Sequence, residues 1–117
     1  MSRYKRGDVV LANIGYRDNN GDYASKTRPM VVIDVENESD NITVSCTTQT
    51  HKATNFPCIL VKKDSQAGKS MRLEHDSLIY CNLTITLSNE DILRRIGSCP
   101  LIKEICNKLG YEYNEGE

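Results

Sequence analysis

The sequence lacks the features that mark several classes of protein. It has no tryptophan, one phenylalanine and no run of eighteen apolar residues. A transmembrane helix requires such a run, so we expect no membrane span. The charged residues at the start of the chain are not followed by the apolar h-region of a signal peptide, which argues against secretion by that route. These absences predict a cytoplasmic protein.

The cysteines show no spacing that indicates a metal or redox site. There are five of them, an odd number, and no two stand in a C-x-x-C pair. Zinc sites and thiol–disulfide enzymes commonly use that pair, so neither a metal nor another cofactor is expected. Most of the cysteines fall in apolar segments, where a thiol acts as a small hydrophobe. Reduced, buried thiols are therefore favoured over disulfides.

The chain also lacks an excess of positive charge. Its net charge is −1, which is not that of a globally basic nucleic-acid binder. The distribution is uneven, because residues 1–72 hold 11 Lys and Arg against 8 Asp and Glu, whereas residues 73–117 hold 4 against 8. This asymmetry is compatible with a polyanion-binding N-terminal portion and equally with an ordinary mixed-charge surface.

What the chain does contain is a series of short strand-forming segments. A chain of 117 residues makes one domain. Runs of β-branched and apolar residues predict strands at 9–14, 29–35, 42–48, 57–61 and 77–87. Their close spacing predicts a mainly β, α+β fold with a small barrel or sandwich at about 5–87.

Two polar segments separate these strands. Residues 15–27 are rich in Asn, Asp and Gly and predict a long, mobile loop, and loops of that length are often functional. Residues 50–55 predict a second loop, which carries His51 and Lys52. A polar hairpin connection is predicted at 62–69.

The end of the chain changes character at about residue 88. Ser88 followed by Asp91 resembles a capping box and predicts a short helix through Ile96. A second helix is predicted after Pro100, with an apolar stripe of Leu101, Ile102, Ile105 and Leu109 that ends at Gly110. The C-terminal helical part then covers about 88–110, and 111–117 form a tail.

The most informative pattern joins an arginine to a run of hydroxyl residues. Arg28 precedes Pro29 at the start of a buried strand, and the next strand ends in Cys46-Thr47-Thr48-Gln49. Alternation predicts that Thr43, Ser45 and Thr47 face outward. An arginine fork and a hydroxyl are suited to holding a phosphate and stabilising its charge.

These motifs resemble the MazF/PemK (Kid) toxins in type and order. The matching segments run in sequence order along the chain from Gly7 to about Leu109 and read Gly7-Asp8-Val9-Val10, Arg28-Pro29-Met30-Val31-Val32, Cys46-Thr47-Thr48-Gln49, Phe56-Pro57, Asp76-Ser77 and Ile96-Gly97. The resemblance implies an SH3-like barrel of the MazF/Kid/CcdB type that forms a homodimer. It also implies a type II toxin that cleaves single-stranded RNA at specific sequences without a metal. A cognate antitoxin peptide would block the RNA groove.

The resemblance assigns roles to individual residues. Arg28 matches the catalytic arginine and Thr47 the catalytic threonine. Thr48 and Gln49 match residues that line the same groove. In RNA cleavage without a metal the 2′-hydroxyl attacks the phosphate, and Arg28 suits stabilisation of the resulting charge because it is always protonated.

Further side chains are candidates for RNA binding. They are Lys26, His51, Lys52, Asn82 and Tyr23. His51 has the side-chain type that titrates near neutrality, which suits an acid or base, although a solvated loop histidine is the more frequent case. Lys52 is a phosphate contact or an ordinary solvated lysine. Tyr23, with Tyr16, is an aromatic platform for an unstacked base or a loop anchor.

Two positions depart from the family pattern. Where the family loop often carries a Gly-x-Glu-Gln stretch, this chain reads Gly21-Asp22-Tyr23-Ala24, so Asp22 is the carboxylate nearest to the missing acid. The second departure is Asn82, which stands where some relatives carry an acid. An asparagine cannot transfer a proton, although its amide can bind a base or phosphate. A non-catalytic RNA- or protein-binding module therefore remains the alternative. Inhibition of DNA gyrase, as by CcdB, is disfavoured by the Arg-Pro and Thr-Thr-Gln motifs.

Overall fold

The structure is a computed structural model that describes residues 3–50 and 57–112. In these ranges the chain forms seven strands and two α-helices. The strands are β1 (Asp8–Arg17), β2 (Tyr23–Val35), β3 (Asp40–Thr47), β4 (Cys58–Val61), β5 (Ser77–Tyr80), β6 (Ile85–Ser88) and β7 (Ile92–Ser98). The helices are α1 (Gln66–Met71) and α2 (Ile102–Leu109).

All strand pairs in the described part of the chain are antiparallel, in the order β4-β5-β3-β2-β1-β7. Strand β3 changes its outer partner along its length. Residues Asp40–Thr43 pair with β6, whereas Cys46 and Thr47 pair with β5. The expectation of a mainly β, α+β fold is confirmed, and the structure adds that the described strands pair antiparallel and that the two helices are short. Pairing that would close the sheet into a barrel is not detected among the described residues, so the SH3-like barrel remains a prediction.

The central strands have apolar side chains on both faces. One face carries Val9, Val31 and Val44 into the main core, which also contains Met71 of α1 and Ile105 of α2. The predicted apolar stripe of α2 is confirmed, since its members all pack in or against this core. The helix ends at Gly110, whose φ of 73° makes the expected left-handed cap.

The opposite face carries a second, smaller core. Val10, Met30 and Val32 project into it and meet Leu87 of β6 and Ile92 of β7. The strand predicted at 29–35 is thus buried on both faces, as expected. Because the two cores use alternate residues, a shift of one residue in register would exchange them.

The predicted mobile loop at 15–27 was wrong. These residues extend β1 and β2 into a long hairpin in which Arg17 pairs with Tyr23. The turn is confined to Asp18–Asp22, where the Asp18 carboxylate accepts hydrogen bonds from the backbone N–H groups of Asn20 and Asp22. Polar side chains concealed the strands, because a hairpin that leaves the body of the domain is solvated on both faces.

The predicted helix from Ser88 to Ile96 was also wrong. A single 3-10 turn occupies Asn89–Asp91, and β7 follows at once. The Ser88 hydroxyl donates to the Asp91 carboxylate at 3.1 Å and makes no backbone cap. Pairing of β7 with β1, 80 to 90 residues away, overrides the local helix signal. The segment 88–110 is therefore only partly helical.

Two smaller predictions need correction. The single strand predicted at 77–87 is two strands in the structure. The first, β5, ends at Tyr80, and the second, β6, begins at Ile85. The polar connection predicted at 62–69 contains the start of α1, capped by the Ser65 hydroxyl, which accepts from the Gly68 N–H. Of the tail predicted at 111–117, Tyr111 packs against the main core and its hydroxyl donates to the Asp34 carboxylate at 2.7 Å, whereas residues 113–117 lie outside the described residues.

Helix α1 lies directly against β7 at Gly97. A Cβ added there would lie 2.6 Å from the Ser70 carbonyl oxygen and 2.8 Å from the Met71 carbonyl carbon, both backbone atoms. We expect Gly97→Ala to lower the free energy of unfolding by about 1–3 kcal/mol in urea denaturation, since backbone must move.

Gly15→Ala is the matched control for this prediction. The atoms nearest to its new Cβ belong to the ring of Tyr23, a residue that is 77% exposed and whose side chain can move away. We therefore expect a small effect at Gly15. Equal stability of Gly97→Ala and wild type would show that α1 does not pack tightly on β7.

The cysteines are reduced in the structure, and four of them are buried. Burial raises the pKa of the Cys81 and Cys99 thiols to about 11 and that of Cys46 still further. Cys58 is the partly exposed one. Since the thiolate is the reacting form, we expect iodoacetamide at neutral pH to modify Cys58 well before the other four. Peptide mass spectrometry over time checks this order, and faster labelling of Cys46 than of Cys58 would contradict it.

Candidate functional site

The pairing of β2 with β3 places Arg28 and Thr47 on one face of the sheet. Met30 pairs with Ser45, and this pairing ends there, next to Pro29, which has no N–H to donate. Side chains alternate along a strand, so Arg28 shares a face with Met30, and Thr47 shares one with Ser45. Arg28 and Thr47 therefore stand on neighbouring strands, each two residues beyond the last pair.

Arg28 is half-buried, and its side chain makes no ion pair or hydrogen bond with the residues that the structure describes. Its five N–H donors are therefore not used by the described part of the fold. On β1 it pairs with Ala12, whose small side chain leaves space on this face. The site thus presents an uncommitted guanidinium beside the end of β3.

Thr47 is held in a defined position at the end of β3. It is 8% exposed, and its hydroxyl oxygen accepts a hydrogen bond from the Gln49 N–H at 3.2 Å. The hydroxyl proton stays available for an acceptor. The prediction that Thr43 and Thr47 face solvent was wrong. Thr43 is fully buried and donates to the Ile85 carbonyl at 2.7 Å, because β6 covers that part of the strand.

Asn82 lies beside this face. Thr47 pairs with Leu78, and alternation puts Ser45 and Tyr80 on the same side as that pair. A cavity of about 230 Å³ is lined by Ser45, Tyr80, Asn82 and Leu83. The amide of Asn82 therefore opens onto the strand that carries Thr47, where it offers both a donor and an acceptor.

The remaining sequence candidates fall in different places. Lys26 is exposed on β2 and shares the face of Arg28, two residues away. Tyr23 lies on the opposite face of the hairpin, where its ring covers Gly15. Thr48 and Gln49 are exposed directly after β3, and the Thr50 N–H donates to the Thr48 carbonyl at 3.0 Å. His51 and Lys52 lie outside the described residues.

A larger cavity, of about 580 Å³, was not anticipated from the sequence. Its described lining comprises Leu11, Pro29, Thr48, Arg72, Leu73, Glu74, His75, Ser77, Arg94, Arg95 and Ile96. Leu11 and Pro29 pair with each other and point to the side of the sheet opposite Arg28. The adjacent pair Arg94-Arg95 was the one available signal, but the wrong helix prediction for that segment concealed it.

The described residues offer no site for a metal or a membrane span. They contain no cluster of three His, Cys, Asp or Glu side chains that could hold an ion. Likewise, no helix within 3–50 or 57–112 has the length and apolar content needed to cross a bilayer.

Comparison with known proteins gives a family match. A family model described as PemK-like, MazF-like toxin of type II toxin-antitoxin system matches residues 5–110. The match covers nearly all of the chain, including all the strands described above. Comparison with curated proteins found no relative that matches. The described residues form a small β-rich domain with Arg28 and Thr47 on one face of its sheet. The chain belongs to the PemK/MazF-like toxin family of type II toxin–antitoxin systems.

Proposed function

We propose that this protein is a metal-independent endoribonuclease that cleaves single-stranded messenger RNA at specific sequences in the cytoplasm. The observation that carries the proposal is the position of Arg28 and Thr47 on one face of the sheet, each two residues beyond the point where the pairing of β2 with β3 ends. Membership of the toxin family supports it. No cofactor enters the proposed reaction.

The reaction is an attack of the substrate's own 2′-oxygen on the adjacent phosphorus. The bond from phosphorus to the 5′-oxygen breaks, which leaves a 2′,3′-cyclic phosphate and a free 5′-hydroxyl. Arg28 holds two phosphate oxygens through its planar fork and stabilises the charge that builds up on them. Thr47, positioned by its bond with Gln49, donates its hydroxyl to the same phosphate.

Proton transfer needs groups other than these two. The described residues assigned to this face (Lys26, Arg28, Ser45, Thr47, Tyr80 and Asn82) include no carboxylate. A guanidinium offers donors and no acceptor, so the base must be a group other than Arg28. His51, four residues after Thr47 in the chain, is our candidate for the group that transfers a proton. Lys52, Lys26, Thr48, Gln49, Asn82 and Tyr23 are our candidates for RNA binding.

Exposed apolar residues near this face support a partner surface. Leu60, which pairs with Leu78, is 51% exposed, and Leu83 is 56% exposed. We propose that a second copy of the chain covers this region in a homodimer and that the cognate antitoxin peptide occupies the RNA groove. Sedimentation of the purified protein tests the dimer, since a monomer at micromolar concentration contradicts it.

The test of the proposed activity is cleavage of a long single-stranded RNA in EDTA, with cut ends mapped by primer extension. We expect discrete cuts that share a short sequence and carry a 5′-hydroxyl. A folded protein that leaves RNA intact, while a known relative cuts in parallel, contradicts the proposal. Asn82 at the position of an acid favours the alternative, a module that binds RNA or protein without cleaving it. RNA binding without cleavage would support that alternative.

A further inference from the structure

We propose that the cavity of about 580 Å³ behind Thr48 binds one nucleotide of the RNA strand, away from the cleaved bond. This proposal rests on the proposed function for its substrate, but binding at the cavity is measured separately from cleavage. The cavity lies on the opposite side of the sheet from Arg28, so it extends the site and does not repeat it.

Charge is the first argument. The described lining holds three arginines and His75 against the single carboxylate of Glu74. Arg95 is committed to the fold, because its guanidinium donates to Asp8 at 2.8 Å and to the Ser98 hydroxyl at 2.7 Å. The side chains of Arg72 and Arg94 make no ion pair or hydrogen bond with the described residues. Two arginine forks therefore remain for an anion, in a chain whose net charge is −1.

The apolar part of the lining is the second argument. Leu11 and Pro29 form one wall from the sheet, and Leu73 and Ile96 contribute another. A base can pack against these side chains while its phosphate meets the arginines. The volume lies within the range of about 300–1,000 Å³ that is typical of small-ligand sites, so a nucleotide can be accommodated. Inorganic phosphate would use the arginines alone and leave the apolar walls uncovered.

Position is the third argument. Thr48 lines the cavity, whereas its neighbour Thr47 lies on the face of Arg28. The end of β3 is therefore the point at which the two sites meet. An RNA strand that passes this end can hold one phosphate at Arg28 and Thr47 and place a nearby nucleotide in the cavity. This continuity favours RNA over an acidic peptide as the occupant.

Arg72 owes its orientation to the end of α1. It takes a left-handed backbone conformation with φ 61°, and its N–H donates to the Lys69 carbonyl at 3.2 Å. The cap turns the chain so that residues 72–75 form the wall of the cavity instead of continuing the helix. The close contact of α1 with Gly97 places this wall beside Arg94 and Arg95 on β7.

The test compares binding of 2′-O-methyl RNA of random sequence at lengths of 4 and 12 nucleotides. The methyl group blocks the attacking oxygen, so binding is read without cleavage. The double variant carries Arg72→Asn, because asparagine tolerates the left-handed backbone, together with Arg94→Ala. The control removes two exposed lysines of α2 outside the cavity, Lys103→Ala with Lys108→Ala.

We expect the cavity variant to bind the 12-mer with a weaker dependence on salt. Each lost phosphate contact lowers the slope of log K against log salt by about 0.7 for a single strand. We expect the slope to fall by that amount if the two arginines share one phosphate contact, and by twice that amount if each makes its own. The lysine control should keep the wild-type slope. We expect a smaller change for the 4-mer, which cannot fill both sites.

Three results would overturn the proposal. One is a cavity variant with the same slope as the lysine control. Another is an equal loss for the 4-mer and the 12-mer, since that places both arginines at the cleavage site. The third is unchanged RNA binding combined with lost binding of poly-glutamate, which assigns the cavity to an acidic peptide. If the wild-type protein binds RNA but does not cleave it, the proposed function is refuted and the proposal of a nucleotide site in the cavity still stands.

Discussion

Arg28→Ala is expected to lower the rate of RNA cleavage by about 10²–10³-fold, with the fold intact. The magnitude is that of removing one preorganised group that stabilises charge in the transition state. The Arg28 side chain makes no hydrogen bond or ion pair with the described residues, so its removal breaks none with them. Single-turnover cleavage in EDTA measures the effect, and urea denaturation checks that stability is unchanged.

One control separates charge from geometry at Arg28. Arg28→Lys keeps the charge but loses the planar fork, so we expect it to recover only part of the rate.

Thr47→Ala removes the hydroxyl and should also lower the rate strongly, whereas Thr47→Ser keeps both the hydroxyl and its bond with the Gln49 N–H. Thr86→Ala, at an exposed threonine on β6, should cut RNA at the wild-type rate. Wild-type cleavage by both Arg28→Ala and Thr47→Ala would place the active site elsewhere.

Met71→Ala is expected to cost about 2–5 kcal/mol in the free energy of unfolding. Met71 ends α1 and is fully buried in the main core, so truncation leaves a cavity that the surrounding strands can fill only partly. Domains of this kind are stable by about 5–15 kcal/mol, so the loss is a large part of the total. Urea denaturation with a fitted slope measures it.

Met71→Leu is the control for this prediction. Leucine has nearly the same volume, so we expect a cost below about 1.5 kcal/mol. Because Arg72 follows Met71 directly, the alanine variant should also loosen the wall of the larger cavity. Equal stability of the two variants would mean that Met71 is not enclosed by the core.

The hydrophobic pattern of the sequence predicted some elements well. The apolar run at 29–35 and the helical stripe from Leu101 to Leu109 both lie where they were expected, because each buries a large apolar surface whose period identifies the element. The residues that match the family motifs also singled out Arg28 and Thr47, since residue type and order alone carry that match.

Elements whose state depends on a distant partner were predicted poorly. We predicted a loop for the polar residues of the β1–β2 hairpin. Both strands are exposed to solvent there, so they carry no apolar pattern, and only their pairing with each other makes them strands. Strand β7 was read as a helix because Ser88 and Asp91 provide a local start signal, while the pairing of β7 with β1 leaves no trace in its own residues. Burial of Thr43 follows from the cover that β6 provides, which the alternation in β3 cannot reveal.

The sequence alone thus determined the family, the buried central strand, the terminal helix and the pair of candidate catalytic side chains. These rest on residue type and local periodicity, which the chain carries in short segments. The tertiary structure alone decided that Arg28 and Thr47 share a face and that Arg72 and Arg94 line one cavity. Those placements depend on strand register and on the close packing of α1 against Gly97, which join residues far apart in the chain.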